Sequence, residues 1–189
     1  MREHSKSAVS TAVHLAIAFA ASLALAAPAA AAWQTRDFES PLGDRASGIG
    51  TAAEGESGFV LIIGCDGERG DRWRGVAVLH PPTSAPVELA DPVPGPVRRQ
   101  KVRVALGGGP PAEDSFQIAK TAAGGQILWV PEPSKFVARL LAEEKKAPGS
   151  SLAIQLRRAD GKPLDLSFSL AGVNEQFAKL SPRCRDWQP

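Results

Sequence analysis

Four cations fall within six residues of this chain, in the run Arg98-Arg99-Gln100-Lys101-Val102-Arg103. On a strand successive side chains point to opposite faces. Arg99, Lys101 and Arg103 therefore share one face, and Val102, Val104 and Leu106 share the other. A row of exposed cations has two uses. It guards an edge strand against pairing with another sheet, the reading that asks least of the sequence. Or it attracts an anionic partner: an acidic protein, a lipid headgroup or the phosphates of a lipopolysaccharide. Arg98 belongs to the same cluster, and Arg72 and Arg74 are expected near it.

The other residues that could do chemistry are few. Glu113 and Asp114, beside the Pro110-Pro111 loop, are the carboxylates a hydrolase would use, but such a pair needs a cleft and a set separation. After residue 32 the only histidine is His80, which the sequence sets in a proline-flanked turn. With no GxSxG and no second histidine, a serine or thiol nucleophile has no evident base. With no CxxC pair, a zinc site has too few ligands. No metal and no cofactor is expected. Gly107-Gly108-Gly109 lacks the Lys-Ser/Thr ending of a phosphate loop and reads as a turn. Arg69-Gly70-Asp71 spells an adhesion tripeptide, yet Gly and Asp are ordinary turn residues. Asp66, Glu68 and Asp71 do not have the spacing of a calcium loop.

Two cysteines remain, Cys65 and Cys184, and the other end of the chain decides how to read them. Arg2 and Lys6 precede an uncharged run from Ala8 to Ala27, then Pro28 and four alanines before Trp33. A basic head, an apolar middle and a small-residue exit describe a secretory signal peptide over residues 1–32, with cleavage expected after Ala32 or Ala31. An exported chain meets an oxidising compartment, and an even count of two allows one pairing, Cys65 with Cys184. The expected location is periplasmic or secreted. Residues 33–189 are long enough for one β-rich domain. Removing the leader takes Arg2, Lys6 and Glu3, so 20 basic and 19 acidic residues remain. That near balance argues against a nucleic-acid binder, and the absence of a second long apolar run argues against a membrane span after cleavage.

Short strands separated by Gly and Pro must hold these residues in place. Gly58 to Cys65 is a nearly continuous apolar run, the pattern of a strand covered on both sides, and Arg72 to His80 completes a hairpin with it. A proline-rich loop from Pro81 to Pro96 contains a short strand at Val87 to Leu89. Arg98 to Leu106, Ser115 to Thr121 and Gln126 to Val130 follow as strands. Ser134 is then placed to cap a helix that buries Phe136, Val137, Leu140 and Leu141 and ends with Glu143 to Lys146 in solvent. Ser151 to Arg157 and Pro163 to Leu170 form a last pair, and a final helix after Gly172 buries Val173, Phe177 and Leu180. About seven short strands with one late helix and a C-terminal helix imply a mainly β fold, an antiparallel sandwich or partly open barrel.

Several of these segments together resemble a known type. Trp33 after the leader, VLIIGC ending at Cys65, KFVARLL, SLAIQLR, LSFSLAGVNEQFAKL and the terminal Cys184 are similar to small proteobacterial envelope proteins. These are the invasion-associated locus B family and the VasI-type accessory proteins of type VI secretion. The resemblance implies an exported, non-enzymatic interaction module associated with host invasion or secretion machinery. Its partner would be an envelope protein or an anionic surface component. A periplasmic carboxylate hydrolase built on Glu113 and Asp114 is the alternative.

Overall fold

Alternating burial along the strands decides which way each faces. The computed structural model describes residues 33–39, 45–55, 58–66, 74–80, 87–90, 98–120, 125–184 and 187–189. The leader, Glu68, Arg69 to Asp71, Arg72 and most of Pro81 to Pro96 lie outside them. The strands are β1 (Gln34–Glu39), β2 (Arg45–Ala52), β3 (Val60–Asp66), β4 (Arg74–His80), β5 (Arg99–Leu106), β6 (Ala112–Lys120), β7 (Gln126–Trp129), β8 (Ser151–Arg157) and β9 (Pro163–Ser169). Helix α1 (Pro133–Lys146) lies between β7 and β8, α2 (Val173–Leu180) follows β9, and a 3-10 turn, Ser181–Cys184, continues from α2.

All nine strands form one antiparallel sheet in the order β1-β2-β3-β4-β7-β6-β5-β8-β9. Two connections skip neighbours: β4 to β5 passes β7 and β6, and α1 carries the chain from β7 to β8. The inner face presents Ile49, Leu61, Ile63, Val76, Val78, Leu128, Phe116, Val102, Val104, Leu152, Ile154, Leu166 and Phe168 to one continuous core. Phe136, Val137 and Leu140 of α1 and Val173, Phe177 and Leu180 of α2 cover that core. The sheet is open, since no ladder joins β1 or β2 to β9. Its ends nonetheless approach each other. Glu54 N–H donates to Ser167 O at 2.8 Å, and the indole N–H of the buried Trp33 donates to Ser169 O at 2.9 Å. The result is a mainly β, partly open barrel closed over by two helices, and no helix among the described residues is long and apolar enough to cross a membrane.

The seven strands expected from the sequence are β3 to β9, and Val87 to Leu89 contributes one bridge, Leu89 to Arg158. β1 and β2 were not expected. Their sequences, QTRDFE and RASGIGTA, are rich in polar and small residues, so pairing rather than propensity makes them strands: Gly48 sits opposite Gly64 and Gly50 opposite Ile62. β3 is covered on both sides, with Ile63 fully buried inside and Ile62 only 5% exposed on the opposite face. His80 does not lie in a turn. It ends β4, is buried, and packs its ring against Phe59 at 4.5 Å between centroids.

The cysteines meet as expected. Cys65 on β3 and Cys184 form a disulfide across 119 residues, with Cα atoms 5.7 Å apart. The turn that carries Cys184 continues directly from α2, so the bridge fastens the end of that helix to the sheet. Trp187 extends the attachment: its indole N–H donates to Ser134 Oγ at 3.0 Å, and its ring meets Phe177 edge-on at 5.6 Å. Ser134 therefore serves as an acceptor inside the first turn of α1 and does not cap it. The N-cap is Glu132, left-handed at φ 49, between Pro131 and Pro133. Proline suits this first helical position because it has no N–H to satisfy, and the Ser134 hydroxyl accepts from the tail instead.

The last turn of α1 is not simply solvated. Gly172, at φ 82, ends β9's extension and opens α2 with no side-chain cap of its own. Glu144 of α1 supplies the acceptor: its carboxylate takes the Gly172 N–H at 2.8 Å, the Asn174 N–H at 3.3 Å and the Asn174 side-chain amide. An acidic side chain at a helix N-terminus satisfies orphan donors and complements the helix dipole. Glu144→Ala should therefore lower stability by about 1–3 kcal/mol, whereas Glu144→Gln, which keeps an acceptor oxygen, should lose less. Urea unfolding followed by circular dichroism measures the difference; equal midpoints for both variants and the parent would contradict this role. Glu143 is similarly placed by its surroundings. Gly107 lies against the Glu143 carboxylate and adopts φ +59, a left-handed backbone that favours glycine, so the turn fixes the first residue of the glycine run.

Candidate functional site

The basic strand is β5, and it is not an edge. β6 pairs along one side, with Arg99 opposite Gln117, Lys101 opposite Ser115 and Arg103 opposite Glu113. β8 pairs along the other, with Arg103 opposite Gln155. Edge protection has no part to play at Arg103 and Val104, which pair on both sides, whereas from Arg99 to Val102 only the ladder with β6 continues and the other side of the strand stays open. The cations are on the solvent face because burial alternates along β5, exposed at Arg99, Lys101 and Arg103 and buried at Gln100, Val102 and Val104. Side chains two residues apart on a strand lie about 7 Å apart, so the three charges form a regular row.

That row borders an open concavity of ≈ 790 Å³ over β5, β6, β8 and β9. Arg157 at the end of β8 adds a fourth cation, and Glu113 and Asp114 line the β6 side. Among the described residues none of Arg99, Lys101, Arg103 and Arg157 has a carboxylate within 4 Å. Charges left unpaired around a concave, partly apolar surface focus the field there and raise the local concentration of anions.

The structure separates the remaining cations. Arg98 precedes the strand, with its carbonyl accepting from Ile118 N–H at 2.9 Å, and it does not line the concavity. Arg74 lies on β4, three strands across the sheet from β5, where its guanidinium donates to Cys184 O at 2.9 Å, and Arg72 is outside the described residues. The sequence did not single out Arg157. Only the register of β8 against β5 brings it alongside, and nothing local in SLAIQLR signals that.

The two carboxylates divide as their positions require. β6 begins at Ala112, so Glu113 and Asp114 are consecutive strand residues directed to opposite faces. Asp114 Oδ1 accepts the Ser115 N–H at 2.7 Å, while Glu113 stands across from Arg103. On β8 and β9, Gln155 Nε2 donates to Asp165 Oδ1 at 2.8 Å. The surface can thus hold an anion by charge and direct it with a few amide and hydroxyl groups. Among the described residues no group of three His, Cys, Asp or Glu side chains is arranged to hold a metal. A scan of the chain against protein-family models finds no match, and comparisons with curated proteins and with solved structures find none either.

Proposed function

We propose that the protein is a non-enzymatic interaction module of the cell envelope that binds an anionic partner through the concavity over β5. One observation carries the reading: three evenly spaced cations on an interior strand paired with β6 from Arg99 to Val104, joined by Arg157 and unmatched by carboxylates within 4 Å. The buried disulfide supports work in an oxidising compartment outside the cytoplasm. Association with host invasion or a secretion apparatus follows from the resemblance of its segments to those envelope families and belongs to the same proposal. A carboxylate hydrolase is the second reading, since Glu113 and Asp114 both border the concavity. It is weaker, because consecutive strand residues face apart and Asp114 is bonded to its neighbour's amide.

The test is a titration of the purified protein with inorganic polyphosphate across a salt series. R99Q/K101Q/R103Q should bind about tenfold more weakly at low salt, as three exposed charge contacts of about 0.5 kcal/mol each would require. The difference should shrink as the screening length falls below about 10 Å. Folding and oligomeric state, followed by thermal melting and light scattering, should stay unchanged because all three side chains are exposed. Equal affinity for the variant and the parent at every salt concentration would remove this face as the binding surface.

A further inference from the structure

The sheet forks at the concavity. Backbone groups alternate along β5: Arg98 O faces β6 and takes the Ile118 N–H at 2.9 Å, whereas Gly107 N–H faces the β8 side and donates to Ser151 O at 2.9 Å. The odd-numbered residues of β5 therefore address β8. The ladder between these strands includes Arg103 opposite Gln155 and goes no further toward Arg99, although β5 runs back to Arg99 and β8 on to Arg157. Beyond the fork β8 acquires a different neighbour. Ala90 N–H donates to Arg157 O at 2.8 Å, Ala159 N–H donates to Glu88 O at 2.9 Å, and Leu89 bridges Arg158. β5 acquires none among the described residues: on that side the backbones of Arg99 and Lys101 have no ladder partner, only a 3.5 Å approach of the Gln100 amide to Lys101 O. Val102 and Leu156, otherwise core residues, line the concavity there.

A stretch of interior strand with open backbone groups, edged by cations, fits one occupant. Resting on the function proposed above, we infer that the anionic partner is an extended acidic polypeptide segment, which adds to β5 as a short strand at the fork. The chemistry is complementary at each level. An added strand would take hydrogen bonds from and give them to Arg99 and Lys101. Its alternate side chains repeat at about 7 Å, the spacing of Arg99, Lys101 and Arg103, and sit about 5 Å from them across the pair. Glutamates or aspartates at those positions meet cations. The intervening side chains turn toward Val102 and Gln100, a residue only 3% exposed whose Oε1 has no hydrogen-bond partner. A serine or threonine hydroxyl at such a position supplies the missing donor. A free phosphate or a lipid headgroup would use the charges and leave both the backbone groups and Gln100 unmet.

The experiment titrates the purified protein, at low salt, with a fluorescent peptide of about six residues alternating glutamate and threonine, long enough to span the open part of β5. Two further versions carry backbone N-methyl groups on one or the other alternate set of residues, which removes donors without altering charge. Strand addition predicts binding that weakens about tenfold or more with one methylated set and little with the other. It also predicts slowed hydrogen exchange at the Lys101 amide. If both methylated peptides bind as well as the parent while R99Q/K101Q/R103Q loses them all, strand addition is overturned and binding by charge stands. If polyphosphate or phosphatidylglycerol vesicles bind and the peptide does not, the partner is a phosphate or a lipid surface and the inference fails. If peptide, polyphosphate and vesicles all fail to bind, the proposed function falls with it.

Discussion

Replacing Cys184 by serine is expected to lower stability by about 3–5 kcal/mol. The bridge closes a loop between residues 119 apart, and loop closure on that scale destabilises the unfolded chain by about 5 kcal/mol in the chain-entropy model. Both sulfurs are fully buried, so the loss also loosens the attachment of α2 and its following turn. Arg74 adds to that attachment through Cys184 O. Denaturant unfolding of parent and variant should show the drop, and it should match that caused by reducing the parent. A change below about 1 kcal/mol would mean that the core and the Trp187 contacts hold the tail without the bridge.

Trp33→Ala should cost nearly as much, about 3–5 kcal/mol, the range for removing a large buried aromatic side chain. Trp33 is 4% exposed and its indole N–H reaches Ser169 O across 136 residues. Its loss removes core volume and leaves the Ser169 carbonyl without that donor. It also cuts one of the two links drawing β9 toward the β1–β2 end of the sheet. The predicted signature is therefore local as well as global, with faster amide exchange in β9 and at Glu54 than in β6 or β7. Trp33→Phe, which keeps much of the volume but not the N–H, separates the packing from the hydrogen bond. Unchanged exchange in β9 for both variants would show that Trp33 does not hold the sheet ends together.

These two residues also mark how far the sequence can be read. The cysteine pairing needed only a count and a compartment, and β3 to β9 announced themselves through alternation and Gly-Pro punctuation. β1 and β2 did not, because glycine and polar residues gain their strand conformation from neighbours across the ladder. Ser134 looked like a cap from its place before an apolar stripe; the helix instead starts at Pro133, which puts Ser134 inside the first turn, and Trp187, 53 residues away, donates to its hydroxyl. The same limit applies to the site. The row of Arg99, Lys101 and Arg103 was visible as a pattern, but whether its strand lay at an edge or in the interior depended on strand order, which spacing does not encode. Arg157 and the fork depended on register. Arg98 belonged to the cluster by count and left it by parity.

The central claim is that the cations over β5 are a binding surface, and amide chemical-shift mapping of the purified protein with inorganic polyphosphate addresses it most directly. The predicted result is a set of shifts confined to Arg99 through Arg103, the neighbouring β6 residues and Arg157, absent in R99Q/K101Q/R103Q and diminished by salt. Shifts centred on Arg74 or on other basic surfaces, or a pattern preserved in the variant, would contradict it.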